Sequence, residues 1–545
     1  MSLLRRKSKR TEFLIKAESG GFRRNIAGLI QVMESYELST YSSYVQSILK
    51  NMRTPIYVLL VFGSITLPYT DSLSQTSAAK GQLSKETNQI VRKIEQVNVV
   101  MNSAVGEGGE RPEQYDNFVK LKDNATSEEL IKLTAHSNPA VRCYAFWALT
   151  GNPSVDLFPI VLAHLNDNET VETLFGCIIS EEKVGDFFID ILVSNSGSNA
   201  NLLTTQQQAA LDSVLIYSPN ALNAKSAAIA RVAPTESLYP KIRDMVVRQH
   251  DQSALVTLAK YQKAQDVELI LQNQAGSKPE EREYFATYQA IRYFPHPDFF
   301  PLLEKNLQLT LDKTHFSSEW RQLYSAIAVY KNRSAYDLLE VPFTQVKHKD
   351  IRKYHLDFVF EALRAVKEPL YDDLLWKLWA DENRLTPDVL KYLSGKNPDR
   401  VFELTKKSLA QADRLYSTNI SINFDDLTAS QDITTSMIEL VMKRDKDFAI
   451  EIIRQNLRKA DVHLFPIFAR KATELKDPSL IDPLFYRLER EWNAYIYLAA
   501  AQALLSYSDP KVNHRIREAK KKNGNLNKDW GGEAFNKLLK EYNLK

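Results

Sequence analysis

From Ala125 onward, apolar residues recur at helical spacing almost without a break, punctuated by polar stretches at 194–201, 273–281 and 417–432. A period near 3.6 over so long a span predicts helices joined by short connections. Upstream, 75–115 is polar, with one helix expected over 83–101 and a linker over 104–114. The clearest pattern lies in 127–179. Ser127 is placed to cap a first helix whose Leu130, Ile131 and Leu133 face one side, and Asn138 to cap a second that opens on Pro139. In that second helix Val141, Tyr144, Ala145, Ala148 and Leu149 fall at i, i+3, i+4, i+7 and i+8, one apolar stripe whose alanines let a neighbour approach closely.

Two features recur along the helical region. A pair of large apolar residues followed by Pro stands at Leu157-Phe158-Pro159, Leu238-Tyr239-Pro240, Phe299-Phe300-Pro301 and Leu464-Phe465-Pro466, each at the start of an expected helix. The prolines are 81, 61 and 165 residues apart. The first and last of these intervals approximate two and four units of ~40 residues, and the middle one does not. The ending Ala145-x-x-Ala148-Leu149 is partly echoed at Glu361-Ala362-Leu363 and again at Ala500 to Leu504.

The stretch NPAVRCYAFWAL resembles the second-helix signature of HEAT repeats of the short bacterial kind. Asn138, Pro139, Val141, Arg142, Ala145, Ala148 and Leu149 carry the match, which is faint elsewhere. The resemblance implies an all-α fold, a right-handed α-α superhelix (α-solenoid) of roughly ten degenerate helix pairs over 125–545. It further implies a protein partner on the concave surface or the edge loops. Aligning Val141 with Val171 in a stacked helix pair expects a contact between Arg142 and Glu172. It also sets Cys143 and Cys177 about one turn out of register, as two buried free thiols beyond the ~7 Å limit for a bridge.

The 17 glycines are few for 545 residues, which favours helices over a turn-rich β protein. The net charge of +3 conceals an asymmetry: 1–51 holds nine Lys or Arg against four Asp or Glu, leaving −2 for the remainder. A nearly neutral body gives nucleic-acid binding little support, and none is expected. The basic stretch precedes an uninterrupted apolar run of about twelve residues, 56–67, in NMRTPIYVLLVFGSITLP. Its length matches a signal-peptide core and falls short of the ~20 residues that span a bilayer. Small residues follow, so that cleavage after Ser74 would leave Gln75 as the N-terminus. On this reading 1–51 is a basic extension or a start placed too early, 52–74 a signal-like segment, and 75–124 a polar lead-in. An uncleaved anchor and an internal core segment are the other readings of 56–67.

Candidate chemistry is thin. No H-E-x-x-H, phosphate-binding glycine loop or nucleophile elbow occurs, and the nine histidines are scattered. His348 and His355 form the densest His/Asp group and read as solvated or capping; Tyr371, Leu375, Trp376 and Trp379 read as core. The basic tail 519–528 reads as a solubility feature able to touch an anionic partner. Sequons at Asn124, Asn168, Asn332 and Asn419 matter only in a eukaryotic secretory pathway. No catalytic, cofactor or metal residues are assigned. The expectation is an exported, periplasmic or secreted, non-catalytic scaffold without a stable membrane span. The alternatives are an enzyme or enzyme accessory on the same scaffold, and a cytoplasmic, nucleic-acid-associated solenoid.

Overall fold

The computed structural model describes residues 83–193, 202–276, 283–412 and 433–544. Helices α1 (Lys85–Val97), α2 (Glu113–Asn124), α3 (Ser127–Leu133) and α4 (Pro139–Leu149) open this part, with strand β1 (Val99–Val105) between α1 and α2. Then come α5 (Phe158–Ala163), β2 (Thr170–Gly176), β3 (Ile178–Lys183), α6 (Val184–Val193), α7 (Thr205–Tyr217), α8 (Ala224–Arg231), α9 (Tyr239–Gln249), α10 (Gln252–Ala259) and α11 (Val267–Gln272). The middle holds α12 (Phe285–Tyr293), α13 (Phe300–Thr310), α14 (Glu319–Ala328), α15 (Arg333–Glu340), α16 (Lys349–Val366), α17 (Asp372–Glu382), α18 (Pro387–Ser394) and α19 (Pro398–Leu409). The last group is α20 (Ile433–Met442), α21 (Lys446–Lys459), α22 (Phe465–Leu475), α23 (Ile481–Leu488), α24 (Ala494–Leu505), α25 (Pro510–Lys522) and α26 (Asp529–Glu541).

The described chain is thus mostly α. Its helices pack on near neighbours in the sequence: α2, α4, α6, α8, α10, α12, α14 and α16 each rest on the next, and α22, α24 and α26 continue the habit beside a second row of α21, α23 and α25. Buried Ala326, Ala328, Ala362, Ala500, Ala501 and Ala503 stand on the faces of α14, α16 and α24, where a small side chain permits close axes.

Local chemistry fixes the ends of these helices. Asn138 caps α4 by accepting the Val141 N–H at 3.0 Å, with Pro139 in the first turn as expected. Helix α3 is capped by Thr126 in a reciprocal box with Glu129 rather than by Ser127, whose hydroxyl instead accepts from Asn152. All four apolar-apolar-Pro triplets stand at helix starts, in α5, α9, α13 and α22. Their first residues, Leu157, Leu238, Phe299 and Leu464, are buried and pin each start to the core.

A second recurring device was not visible from periodicity. Tyr261, Tyr330 and Tyr507 each stand two residues beyond the end of α10, α14 and α24. The next residue, Gln262, Lys331 or Ser508, is left-handed, with φ of 51° to 53°. Each phenol then donates back to a backbone carbonyl of the preceding corner: Thr235 at 3.0 Å, His296 at 2.6 Å and Asp477 at 2.9 Å. Burial pushes the Tyr507 phenol up to about 12, so it keeps its donor proton at physiological pH.

The all-α expectation needs one correction. In place of a second stacked helix, 170–183 forms a hairpin: β2 runs parallel to β1 and antiparallel to β3, in the order β1-β2-β3. Val171, Thr173, Phe175, Ile178 and Ile179 favour extended backbone, and Gly176 at φ 59° makes the two-residue turn with Cys177. The helix-on-helix alignment of Val141 with Val171 therefore fails. Arg142 meets Asp167 at 3.0 Å and Glu169 at 2.6 Å instead of Glu172, which pairs in register with Val99 and Glu181. Both cysteines are free, but only Cys143 is buried; Cys177 is exposed in the turn. The expected linker 104–114 contains the end of β1, a bridge between Val105 and Glu110, and the start of α2.

Candidate interaction surface

Asn138, Pro139, Val141, Arg142, Ala145, Ala148 and Leu149 come together on α4 as packing and capping residues. Arg142 is almost wholly buried and ties the start of α4 to the turn before β2 through Asp167, Glu169 and the carbonyls of His136 and Ser137. Ser74 and Gln75 lie outside the described residues, as do the apolar run 56–67 and the polar stretch 417–432. No described helix is long and apolar enough to cross a membrane.

Other singled-out residues sort into the core. Tyr371, Leu375, Trp376 and Trp379 are buried, and the Trp379 indole N–H donates to Ser408 at 3.0 Å. His348 precedes α16 without making a side-chain cap. His355 is fully buried, stacked on Trp320 and hydrogen-bonded to Tyr324 at 2.6 Å. Burial pushes the His355 imidazole down to about 4, so it is neutral at pH 7. Among the described residues, no group of three or more His, Cys, Asp or Glu is arranged to hold a metal ion.

The most chemically distinctive surface is one that the periodicity reading passed over. The connections after α21, α23 and α25 are bonded to one another: Arg487 donates to the Ala460 carbonyl at 2.7 Å, and Asn523 donates to those of Leu488 and Glu491 at 2.9 Å each. On this edge Trp492 is 77 % exposed and Trp530 is 52 % exposed. Trp530 packs on Tyr495 with ring centroids 5.1 Å apart, and the Arg458 and Arg490 guanidinium groups lie over the Tyr486 ring. Exposed Lys459, Lys521 and Lys522 stand at the ends of α21 and α25, and exposed Lys528 just before α26.

The platform is held by backbone. Gly531 lets the first turn of α26 press on α24, since a Cβ there would lie 2.0 Å from the Tyr497 hydroxyl and 2.7 Å from the Ala494 Cβ. Trp, Tyr and Arg on a rigid support are the residue types that dominate binding hot spots. The sequence signal was present: Trp492 stands between Glu491 and Asn493, and Trp530 between Asp529 and Gly531, in polar surroundings rather than in an apolar stripe.

A second exposed patch sits at the β2–β3 turn, where Phe175, Cys177, Ile178 and Ile179 are solvent-exposed. Behind it, burial together with the nearby Asp190 and Asp186 charges pushes the Glu182 carboxyl up to about 8. Asp190 moves the same way, chiefly through burial. Asp186 is engaged structurally, accepting the Asn223 and Ala224 N–H groups at the start of α8. The pair therefore holds a proton at neutral pH at the base of the hairpin.

No protein-family model matches the chain, and no curated protein matches it in sequence.

Proposed function

We propose that this chain is an exported α-solenoid of degenerate HEAT-like helix pairs that works as a non-catalytic scaffold for protein-protein interaction. The neighbour-on-neighbour helix packing and the repeated tyrosine corners support the solenoid. The observation that carries the binding role is the rigid aromatic edge of Tyr486, Trp492, Tyr495 and Trp530. Large exposed aromatic groups rimmed by charge mark interaction sites rather than ordinary surface. The engaged state of the interior charges agrees with a structural role: Arg321 pairs with Glu361, Arg352 with Glu382, Arg384 with Asp357 and Lys471 with Glu439.

Export rests on the apolar run 56–67 and the small residues that follow. Two measurements test the proposal. N-terminal sequencing of the protein from fractionated cells is expected to give Gln75 outside the cytoplasm; a soluble cytoplasmic chain starting at Met1 overturns export. Affinity capture from the native compartment is expected to recover a protein with the wild-type chain and to lose it with Trp492→Ala/Trp530→Ala. Capture unaffected by that pair overturns the assigned surface.

A further inference from the structure

The two exposed patches complement each other in charge as well as in hydrophobicity. The segment 167–190, which carries the hairpin, holds seven Asp or Glu against the single Lys183. The segment 513–528, on the aromatic edge, holds six Lys or Arg against the single Glu518. Part of each charge is used internally. Asp167 and Glu169 meet Arg142, Asp186 caps α8, Glu182 and Asp190 face each other and share a proton, Arg515 meets Asp482 and Glu489, and Lys521 meets Glu518. Exposed Glu181 on β3 follows the apolar tip in the chain, exposed Lys522 ends α25, and exposed Lys528 stands two residues before Trp530.

We infer that the β2–β3 hairpin of one copy docks on the Trp492–Trp530 edge of a second copy of this chain, joining copies through unlike patches. Phe175, Ile178 and Ile179 supply the branched and aromatic surface that indole faces cover well. Glu181 is placed to meet the lysines at the rim. The hairpin is also preorganised: its turn is anchored by the Gly106 N–H to the Gly176 carbonyl at 2.9 Å, so little order is lost on docking. Because the two patches differ, each copy keeps one of them open after pairing. Association then runs on to a chain or a closed ring. This inference rests on the scaffold reading and names one occupant of its binding edge.

Complementation of full-length variants provides the test, read by sedimentation velocity. Wild-type protein is expected to rise in mass with concentration and to fall back toward monomer as salt increases. Ile178→Asp/Ile179→Asp removes the hairpin patch, and Trp492→Ala/Trp530→Ala removes the edge. Each variant alone is expected to be monomeric, with self-association weakened by about thirty-fold or more. An equimolar mixture is expected to form a one-to-one dimer and nothing larger, since each variant retains the patch that the other has lost. A fluorophore on exposed Cys177 of the edge variant follows the same event optically, with Cys143 shielded in the core. Glu181→Lys, a surface change that spares the apolar contacts, is expected to weaken association and to be rescued by Lys522→Glu on the second copy.

Self-association untouched by either double variant overturns the inference, as does a mixture that stays monomeric. If the wild type is monomeric at all concentrations while Trp492→Ala/Trp530→Ala loses a captured protein, the self-docking falls and the scaffold reading stands. If that variant also captures normally, both fall.

Discussion

Two ionisable side chains set opposing limits on stability with pH. His355 is neutral in the fold because burial lowers its affinity for a proton from the ordinary 6.5 to about 4. Its contribution is complete above the unfolded value and is lost as pH falls from 6.5 through 4, since the unfolded chain takes up a proton that the core refuses. Glu182 behaves in the opposite sense. The fold keeps its proton up to about 8, whereas the unfolded chain releases it near 4.5, so stability declines as pH rises between those values. We predict that Glu182→Gln raises the melting temperature at pH 8.5 and leaves it nearly unchanged at pH 4.5. His355→Gln is predicted to lower the melting temperature at pH 7 and to flatten its dependence between pH 6.5 and 4. Thermal melts over that range check both. Neither effect could be read from the sequence. Nothing in SEEK sets Glu182 apart from Glu181, and its neighbour Asp190 comes close only through the turn from β3 into α6. Arg142 shows the same limit: a contact with an acid was expected of it, but the acids it meets were not, because they depend on what 167–183 does.

At the level of elements, glycine scarcity was a poor guide to how the chain turns. Gln262, Lys331, Lys367, Lys476 and Ser508 all adopt left-handed backbone just before the next helix begins. A residue with a Cβ is strained there by about 1 kcal/mol relative to glycine. Lys476→Gly is accordingly predicted to stabilise the protein by up to about 1 kcal/mol in chemical denaturation. The reverse change at the aromatic edge has no room. Gly531→Ala drives a methyl into Tyr497 and Ala494, with an expected loss of about 1 to 3 kcal/mol and weaker packing of Trp530 on Tyr495. Tryptophan emission during unfolding reads out both. Helix starts were legible because Asn-Pro and apolar-apolar-Pro sequences act within one turn of chain. The hairpin was not, because an apolar run of six or seven residues suits a buried helix as well as a strand. What tips 170–183 toward a strand is pairing with β1, some seventy residues upstream.

For the molecule as a whole, contacts between near neighbours mean that damage stays local. Leu504 is fully buried in α24, and Leu504→Ala is expected to cost about 2 to 5 kcal/mol. If the proposed solenoid holds, hydrogen exchange will show protection lost across α22 to α26 and retained in α2 to α8; uniform loss from end to end contradicts it. The helical class was readable from the chain because a sustained period leaves few alternatives. The Pro triplets were a weaker guide, since intervals of 81, 61 and 165 residues share no single unit.

The tyrosine corners are irregular in the same way. From Tyr261 back to Thr235 is 26 residues, from Tyr507 to Asp477 is 30, and from Tyr330 to His296 is 34, yet each phenol closes the same bond. In the proposed solenoid each such corner is a joint of one kind between landings of unequal depth. The number of residues between tyrosine and carbonyl can change without loss of the joint. A change at one tyrosine would loosen the joint it closes and leave distant joints in place.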